Sequence, residues 1–550
     1  MKRRTLIKGM AATLPSLWLS RALGNNFFEE PFTGEPIAKG PFKPTWESLQ
    51  HYKTPEWFRD AKFGMWAHWG PQCEPEAGDW YARNMYGEGS GQYKIHLEKY
   101  GHPSKFGFKD VINEWKAENW DPEELVSLYK NAGAQYFMAM ANHHDNFDLY
   151  DSKYQKHWNA TKIGPKKDLI GGWAKAARNN GLPFGVSVHA SHAWIWYELA
   201  QGADKTGQFA GIPYDGKLTK ADGKGKWWEG LDPQELYAQN HPLSPGQLKG
   251  NFTEQWDWGN GVYPPGKAYI EKFYNRTIDL INKYDPDVVY FDDDQLPFWP
   301  VSDAGLRIAA HLYNKSIKEQ GELRAVLNGK MLNEDQRKAM VWDIERGQAN
   351  DIQPLPWQTD TCIGGWHYAR GIYEHNGYKT AKTVIQSLVD IVSKNGNLML
   401  NIPVRGDGSI DEKERKIVEE IGAWMKVNSE SIYGTRPWKI FGEGPAQEAK
   451  LSDKGFNEGK GKPFTHEDIR FNVKGDVLYA TAMGWPQDGK LAIKNLAINS
   501  THFPKEIQKV EWVPTRQSLT FERTEKGLVV TLPAKNADEL THANVIRILS

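Results

Sequence analysis

The run Val288-Val289-Tyr290-Phe291-Asp292-Asp293-Asp294 carries a short, strand-forming apolar segment straight into three carboxylates. Three acids cannot follow such a strand into a core without a large desolvation cost. They therefore emerge at a rim or cleft, held there by a rigid element. Carboxylates fixed in this way suit acid–base and nucleophilic chemistry on sugars; a solvated turn or a cation site is the plainer alternative. Strand side chains alternate faces, so Asp292 and Asp293 are expected to point apart. A second acid of interest is Glu345, which closes the run Val341-Trp342-Asp343-Ile344-Glu345 just ahead of Arg346. A general acid needs a raised pKa. Asp343 and Asp351 compete with Glu345 for that role, and a salt bridge to Arg346 is the plainer use of its charge.

Such residues need a scaffold, and the chain supplies one. β-rich runs end in polar residues at Phe63–Gly70, Tyr136–His144, Phe184–His189, Val288–Asp292, Ala325–Asn328, Val341–Glu345 and Asn397–Ile402, and a weaker strand is expected near Cys362–Trp366. Helical patterns alternate with them. Asp121-Pro122-Glu123-Glu124 places a capping Asp, a Pro at the first helical position and acids in the first turn. Ala268–Tyr284 sets Ile270, Phe273, Ile278, Leu280 and Ile281 on one broad face, and Trp173–Asn180 and Thr380–Val392 also show helical spacing. Strand and helix in repeated alternation predict an α/β fold, a (β/α)8-like TIM barrel, whose chemistry sits at the C-terminal ends of its strands. Those ends carry His68, His143, His144, His189, Asp292, Asn328 and Glu345.

Residues 200–266 interrupt the rhythm with Gly, Lys, Asp and Pro and four tryptophans, Trp227, Trp228, Trp256 and Trp258. The segment reads as an insertion beside the barrel mouth, either forming outer sugar subsites or looping away as a linker. From about residue 435 to 550 the texture changes to short alternating strands with Lys and Gly turns, which predicts a C-terminal antiparallel β-sandwich. Residues 25–434 are then the barrel.

Net charge is −1 with two cysteines, Cys73 and Cys362. No overall field draws nucleic acid or anionic lipid, and two thiols make no disulfide framework, though one bridge stays open. Twin arginines, Arg3-Arg4, precede a moderately apolar run that ends near Leu19, with small residues about Ala22. Residues 1–24 are read as a twin-arginine-like export signal, too short and too interrupted by Pro15 to span a membrane, so a periplasmic or secreted protein is expected.

Six ordered blocks resemble the α-L-fucosidase family of glycoside hydrolases: Trp57–Gly64 with His68-Trp69-Gly70, Trp80–Tyr86, His143–Phe147, Pro286–Asp292, Asn395–Asn401 and Ile432–Trp438. The resemblance covers roughly residues 50–435, with an appended sandwich of the kind that family carries. It implies a retaining exo-glycosidase acting on terminal α-L-fucosyl residues, with Asp292 as nucleophile and no cofactor or metal. It places the acid/base on variable loops after the nucleophile strand, where Glu345 is the first candidate. His68, His143 and His144 match positions that bond sugar hydroxyls, and a neutral imidazole can donate from one nitrogen and accept at the other. Trp80 and Tyr81 would form an aromatic wall and a hydroxyl contact, with core packing as their alternative, and Trp366 joins the sugar-binding candidates. Zinc is the alternative for the histidines, but adjacent His-His is a poor zinc spacing and no HExxH occurs.

The chain also departs from the pattern. Ser187-Val188-His189 stands where Tyr-Tyr-Ser is frequent, so His189 or His192 would replace a sugar-contacting tyrosine. Lys330 occupies a place where Arg is common, and Asn146 one where Gly is usual. An apolar pocket rejects one added hydroxyl only weakly, so an α-L-galactosidase on this scaffold is the first alternative. A catalytically dead carbohydrate-binding protein and a metal-dependent hydrolase are the others.

Overall fold

The computed structural model describes residues 32–245, 258–259, 261–446, 456–534 and 542–550. The basic leader, the cleavage point near Ala22 and Trp256 lie outside the described residues. Eight parallel strands close into a barrel in chain order: β1 Phe63–Ala67, β2 Tyr136–Asn142, β3 Phe184–Val188, β4 Val288–Phe291, β5 Val326–Gly329, β6 Val341–Glu345, β7 Trp357–Cys362 and β8 Gly396–Asn401. Only β6 has partly exposed residues; the other seven are buried along their whole length. Such strands read as continuous apolar runs rather than alternating ones. Gly64 on β1 lets the Tyr136 ring of β2 cross its backbone, since a Cβ there would lie 2.3 Å from that ring.

Helices are set by local chemistry. The Asp121 side chain accepts from the Glu124 amide ahead of Pro122–Asn131, Asp168 from Gly171 ahead of Leu169–Asn179, and Thr380 from Thr383 ahead of Ala381–Ser393. Asp411 and Glu414 form a reciprocal capping box at the start of Glu412–Asn428.

One strand differs from the sequence expectation. The seventh runs over Trp357–Cys362 and ends where the weak Cys362–Trp366 strand was expected to begin. Its polar centre, Gln358-Thr359-Asp360-Thr361, hides it from an apolar-run search. These side chains are buried because partners elsewhere satisfy them: Tyr136 donates to Gln358 at 2.9 Å and Tyr290 to Asp360 at 2.8 Å.

The insertion packs as a cap rather than a linker over its described part. Buried Asp215 accepts from Lys109, Tyr86 and Tyr237 at 2.7–2.8 Å, and Trp227 donates its indole N–H to Asp110 at 2.7 Å.

Beyond the barrel, β9 Arg436–Glu443, β10 Ile469–Lys474, β11 Val477–Ala482, β12 Lys490–Ile493, β13 Lys509–Trp512, β14 Phe521–Thr524, β15 Gly527–Thr531 and β16 Asn544–Leu549 form two antiparallel sheets. Their orders are β13-β16-β11-β10-β9 and β12-β15-β14, around a core that includes Phe471, Trp512 and Leu528. The appended sheets are firmly docked. Val545 and Tyr479 join the barrel's apolar cluster, Trp424 donates to the Ala543 carbonyl at 2.8 Å, and Arg470 and Lys394 close on buried Asp390.

Candidate active site

Eight barrel strands aim their C-terminal ends at one pocket. His68 follows β1, His143 and His144 follow β2, His189 follows β3, Asp292 follows β4, Lys330 follows β5, Glu345 ends β6, and Trp366 and His367 lie in the loop after β7. From β8, Asn401 ties the first to the last of these: its side chain accepts from the His68 amide at 2.8 Å and donates to the Trp366 carbonyl at 2.9 Å.

Asp292 and Glu345 meet through one cation. The Lys330 ammonium lies 2.5 Å from Asp292 Oδ1 and 2.5 Å from Glu345 Oε2. Those two oxygens are therefore no more than about 5 Å apart, close to the ~5–5.5 Å spacing of retaining glycosidases. Asp292 Oδ2 takes His189 Nδ1 at 3.2 Å and His144 Nε2 at 3.0 Å. Burial would raise the Asp292 carboxyl, but the Lys330 charge and the two imidazoles outweigh it and hold it well below the usual range. Glu345 goes the other way. Burial and the charges of Asp360 and Asp292 push it up to about 7, against the pull of Lys330. One carboxyl stays ionised and its neighbour keeps a proton near neutral pH.

The histidines divide into two groups. His189 Nε2 receives the Ser187 hydroxyl at 3.0 Å, which leaves Nδ1–H to donate to Asp292. His144 donates Nδ1–H to the His189 carbonyl at 2.7 Å, so its contact with Asp292 is attractive only while a proton lies between them. The other group faces the pocket. Gln72 accepts from the Ala82 amide with its oxygen, which fixes its NH2 as the donor to His143 Nδ1 at 2.7 Å. His143 therefore carries its proton on Nε2. Burial depresses His68 and His143 far below the ordinary imidazole value, so both are neutral. His68 and His367 have no hydrogen-bond partner at either ring nitrogen among the described residues. Buried polar groups of this kind call for a ligand rich in hydroxyls.

A metal is a poor fit. Ring nitrogens of His68, His143 and His367 lie within 4.8 Å of one another, as do those of His143, His144 and His189. A ligating imidazole must offer a lone pair, yet His143 Nε2 is protonated and His189 is already bonded through both nitrogens.

The aromatic walls are uneven. Trp366 packs its ring 5.3 Å from Trp66 and 5.6 Å from His68. Trp80 stands at the rim, exposed, edge-on to Trp196 at 5.5 Å, and Trp196 in turn covers His144 at 4.6 Å. Tyr81 is not brought to the site. It opens the helix Tyr81–Asn84, is fully buried, and spends its hydroxyl on His96 at 2.5 Å, which is the core-packing alternative. His192 turns from the pocket to Asp293 at 2.9 Å, and Ser191 bonds the same carboxylate. Asp293 thus serves its own turn, and His189 is the histidine that reaches Asp292. Asp343 lies on the same face of β6 as Glu345, two residues deeper, and Asp351 is exposed and caps its own loop at Ile352.

Sequence reasoning missed His367, Asp360 and Tyr290. Placing the seventh strand five residues late hid the first two, although His367 directly follows Trp366.

Residues 32–430 match the alpha-L-fucosidase family, and residues 462–549 match the alpha-L-fucosidase C-terminal domain. Tissue alpha-L-fucosidase of Rattus norvegicus is 24% identical over 507 residues, 90% of each chain. The human tissue enzyme is 25% identical over 502 residues, 90% of this chain and 88% of that one. Among solved structures, Thermotoga maritima alpha-fucosidase in complex with a mechanism based inhibitor is 25% identical with a TM-score of 0.66, covering 92% of this chain and 100% of that one. Barrel, appended sheets and two matched stretches agree: the chain belongs to the alpha-L-fucosidase family of glycoside hydrolases.

Proposed function

We propose that the protein hydrolyses terminal α-L-fucosyl residues of oligo- or polysaccharides with net retention, through a glycosyl ester on Asp292. The observation that carries this reading is the Asp292–Lys330–Glu345 bridge, which sets two oppositely protonated carboxyls within about 5 Å of each other. In the first step an Asp292 oxygen attacks C1 as the C1–O bond breaks, and Glu345 gives its proton to the departing oxygen. In the second, Glu345 takes a proton from water, whose oxygen attacks C1 and releases Asp292. Two inversions return the starting configuration.

Lys330 adds a coupling to this cycle. The glycosidic bond must enter the space between the carboxyls that the ammonium now bridges. Its flexible stem lets it withdraw as the sugar arrives. Withdrawal removes the cation that lowers Glu345, so substrate binding itself completes the protonation of the acid. His189 remains on Asp292 through its Nδ1–H and keeps it ionised. His68, His143 and His367 meet the sugar hydroxyls, and Trp366 and Trp80 bound its apolar edge.

Incubation with 2-fluoro-α-L-fucosyl fluoride followed by peptide mass spectrometry should place the adduct on Asp292, and NMR should show the α-anomer of L-fucose released first. A label on another residue, or β-fucose as first product, overturns the mechanism. Aryl α-L-galactoside assayed beside aryl α-L-fucoside measures the sugar preference, and faster hydrolysis of the galactoside overturns the substrate assignment.

A further inference from the structure

Glu345 is the last residue of β6, and the turn after it is gripped from outside the barrel. On the barrel side, Arg346 donates its amide to the Asp360 carbonyl at 2.8 Å and Thr359 bonds the Gly347 carbonyl at 2.8 Å. On the other side lies a short stretch between β9 and β10 of the appended sheets. Asn457 pairs its side-chain amide with Gln348, accepting from its N–H at 2.8 Å and donating to its carbonyl at 3.0 Å. Glu458 donates its own amide to the Arg346 carbonyl at 3.0 Å. Its carboxylate collects Lys379 at 2.5 Å, Thr361 at 2.8 Å and Arg346 Nε at 3.3 Å.

Three features give this stretch a purpose beyond linkage. First, Asn457 is 1% exposed although it lies on neither sheet, and its side-chain amide bonds the barrel turn. Second, the turn is built to receive it. A Cβ on Gly347 would lie 2.8 Å from Asn457 Oδ1, and Arg346 has φ 44°, a left-handed backbone that a non-glycine residue keeps only when its surroundings hold it. Third, the bonds fall on Arg346 and Gln348, straddling the turn that leaves the acid. The stretch also lies between the two regions matched by the family, 32–430 and 462–549.

We infer that Asn457 and Glu458 form a strap by which the appended domain positions Glu345 for proton transfer. The strap rests on the assignment of Glu345 as acid/base. A general acid works only within a few tenths of an ångström and some tens of degrees of its target, so a strand end must be fixed on both sides. Asn457 and Glu458 are positioning residues, since neither touches Asp292 or Lys330 among the contacts described.

The test exploits leaving-group chemistry in the full-length protein. Phenyl α-L-fucoside needs a proton to depart, whereas 2,4-dinitrophenyl α-L-fucoside leaves unaided. N457A and the isosteric E458Q should each lower kcat/KM on the phenyl substrate by about tenfold or more and change the dinitrophenyl value by less than about twofold. Azide, which needs no general base, should speed turnover of the dinitrophenyl substrate by these variants and form fucosyl azide. The ratio of the two substrates on one preparation is independent of how much enzyme is folded. E345Q, run alongside, should show the same bias more strongly. Equal losses on both substrates, or none, in N457A and E458Q overturn the strap while a biased E345Q upholds the acid. An unbiased E345Q overturns the acid assignment and the strap with it.

Discussion

Two carboxyl pairs stand at different depths of the same barrel, and they solve opposite problems. At the mouth, Asp292 and Glu345 are joined by Lys330 at 2.5 Å each. Deeper, Asp343 and Asp360 are both buried, and the charge of Asp360 makes Asp343 harder to ionise. Asp343 accepts from Gln358 at 2.6 Å and Asp360 from Tyr290 at 2.8 Å, and their remaining oxygens have no separate partner among the described residues. Burial and the Asp360 charge lift Asp343 well above its ordinary value, and burial lifts Asp360 against the pull of Lys330 and its hydrogen bond with Asp343, so the pair shares a proton. Desolvation pushes all four acids up. The difference is contact: Lys330 bonds both carboxylates of the outer pair directly, whereas it reaches the inner pair only through space and their hydrogen-bond donors are neutral. The bridging cation and the neighbouring imidazoles leave an ionised carboxylate beside a raised one, whereas the inner pair keeps its proton shared.

The largest break in this contrast should come from Asp292→Asn. It replaces the ionised carboxylate by a neutral, poorly nucleophilic amide, and kcat/KM on an aryl α-L-fucoside should fall by about 10⁴-fold or more; a loss under tenfold would show that another residue attacks. Lys330→Met should come next, at about 10²-fold. Lys330 lowers both Asp292 and Glu345, so both rise when it goes. The acid limb of the pH profile of kcat/KM, where Asp292 must ionise, and the alkaline limb, where Glu345 must stay protonated, should therefore both move to higher pH. An unmoved bell refutes the cation's role.

Asp360→Asn sharpens the contrast between depths. The Asp360 charge pushes Glu345 up, so its removal should shift the alkaline limb to lower pH, by up to about one unit. A shift upward would mean that Asp360 acts through geometry instead. The smallest effect concerns stability. Asp343 keeps a proton in the fold that the unfolded chain releases above about pH 4. The folded state then binds more protons, so this pair lowers stability as pH rises from about 4 towards its raised value, by up to ~1.4 kcal/mol per unit for each proton. Asp343→Asn should flatten that slope in thermal or urea unfolding between pH 4.5 and 7; an unchanged slope removes the shared proton.

The legibility of these features in the sequence follows physical lines. The Val288–Asp294 run announced itself because an apolar strand and three acids cannot both be buried. Helix starts were equally plain, since Asp121-Pro122 and its acids act locally. Asp343 and Glu345 were not separable, being two residues apart on one face of one strand, where depth alone decides which meets Lys330. Asp360 was silent because its burial depends on Tyr290, seventy residues away in the chain. The strap was silent for the same reason: Asn457 and Glu458 sit in a polar stretch without periodicity, and their meaning lies in Arg346 and Gln348.

Reading β6 and the 456–458 stretch together changes what counts as a module here. Cutting the chain after Asn428, where the last barrel helix ends, would leave Arg346 and Gln348 without their outer bonds. Tail exchange between relatives, or trimming to a minimal barrel, would then alter proton delivery even if every sugar contact survived. With the strap as proposed, the smallest unit that keeps Glu345 in place is a barrel plus a fragment of its neighbour.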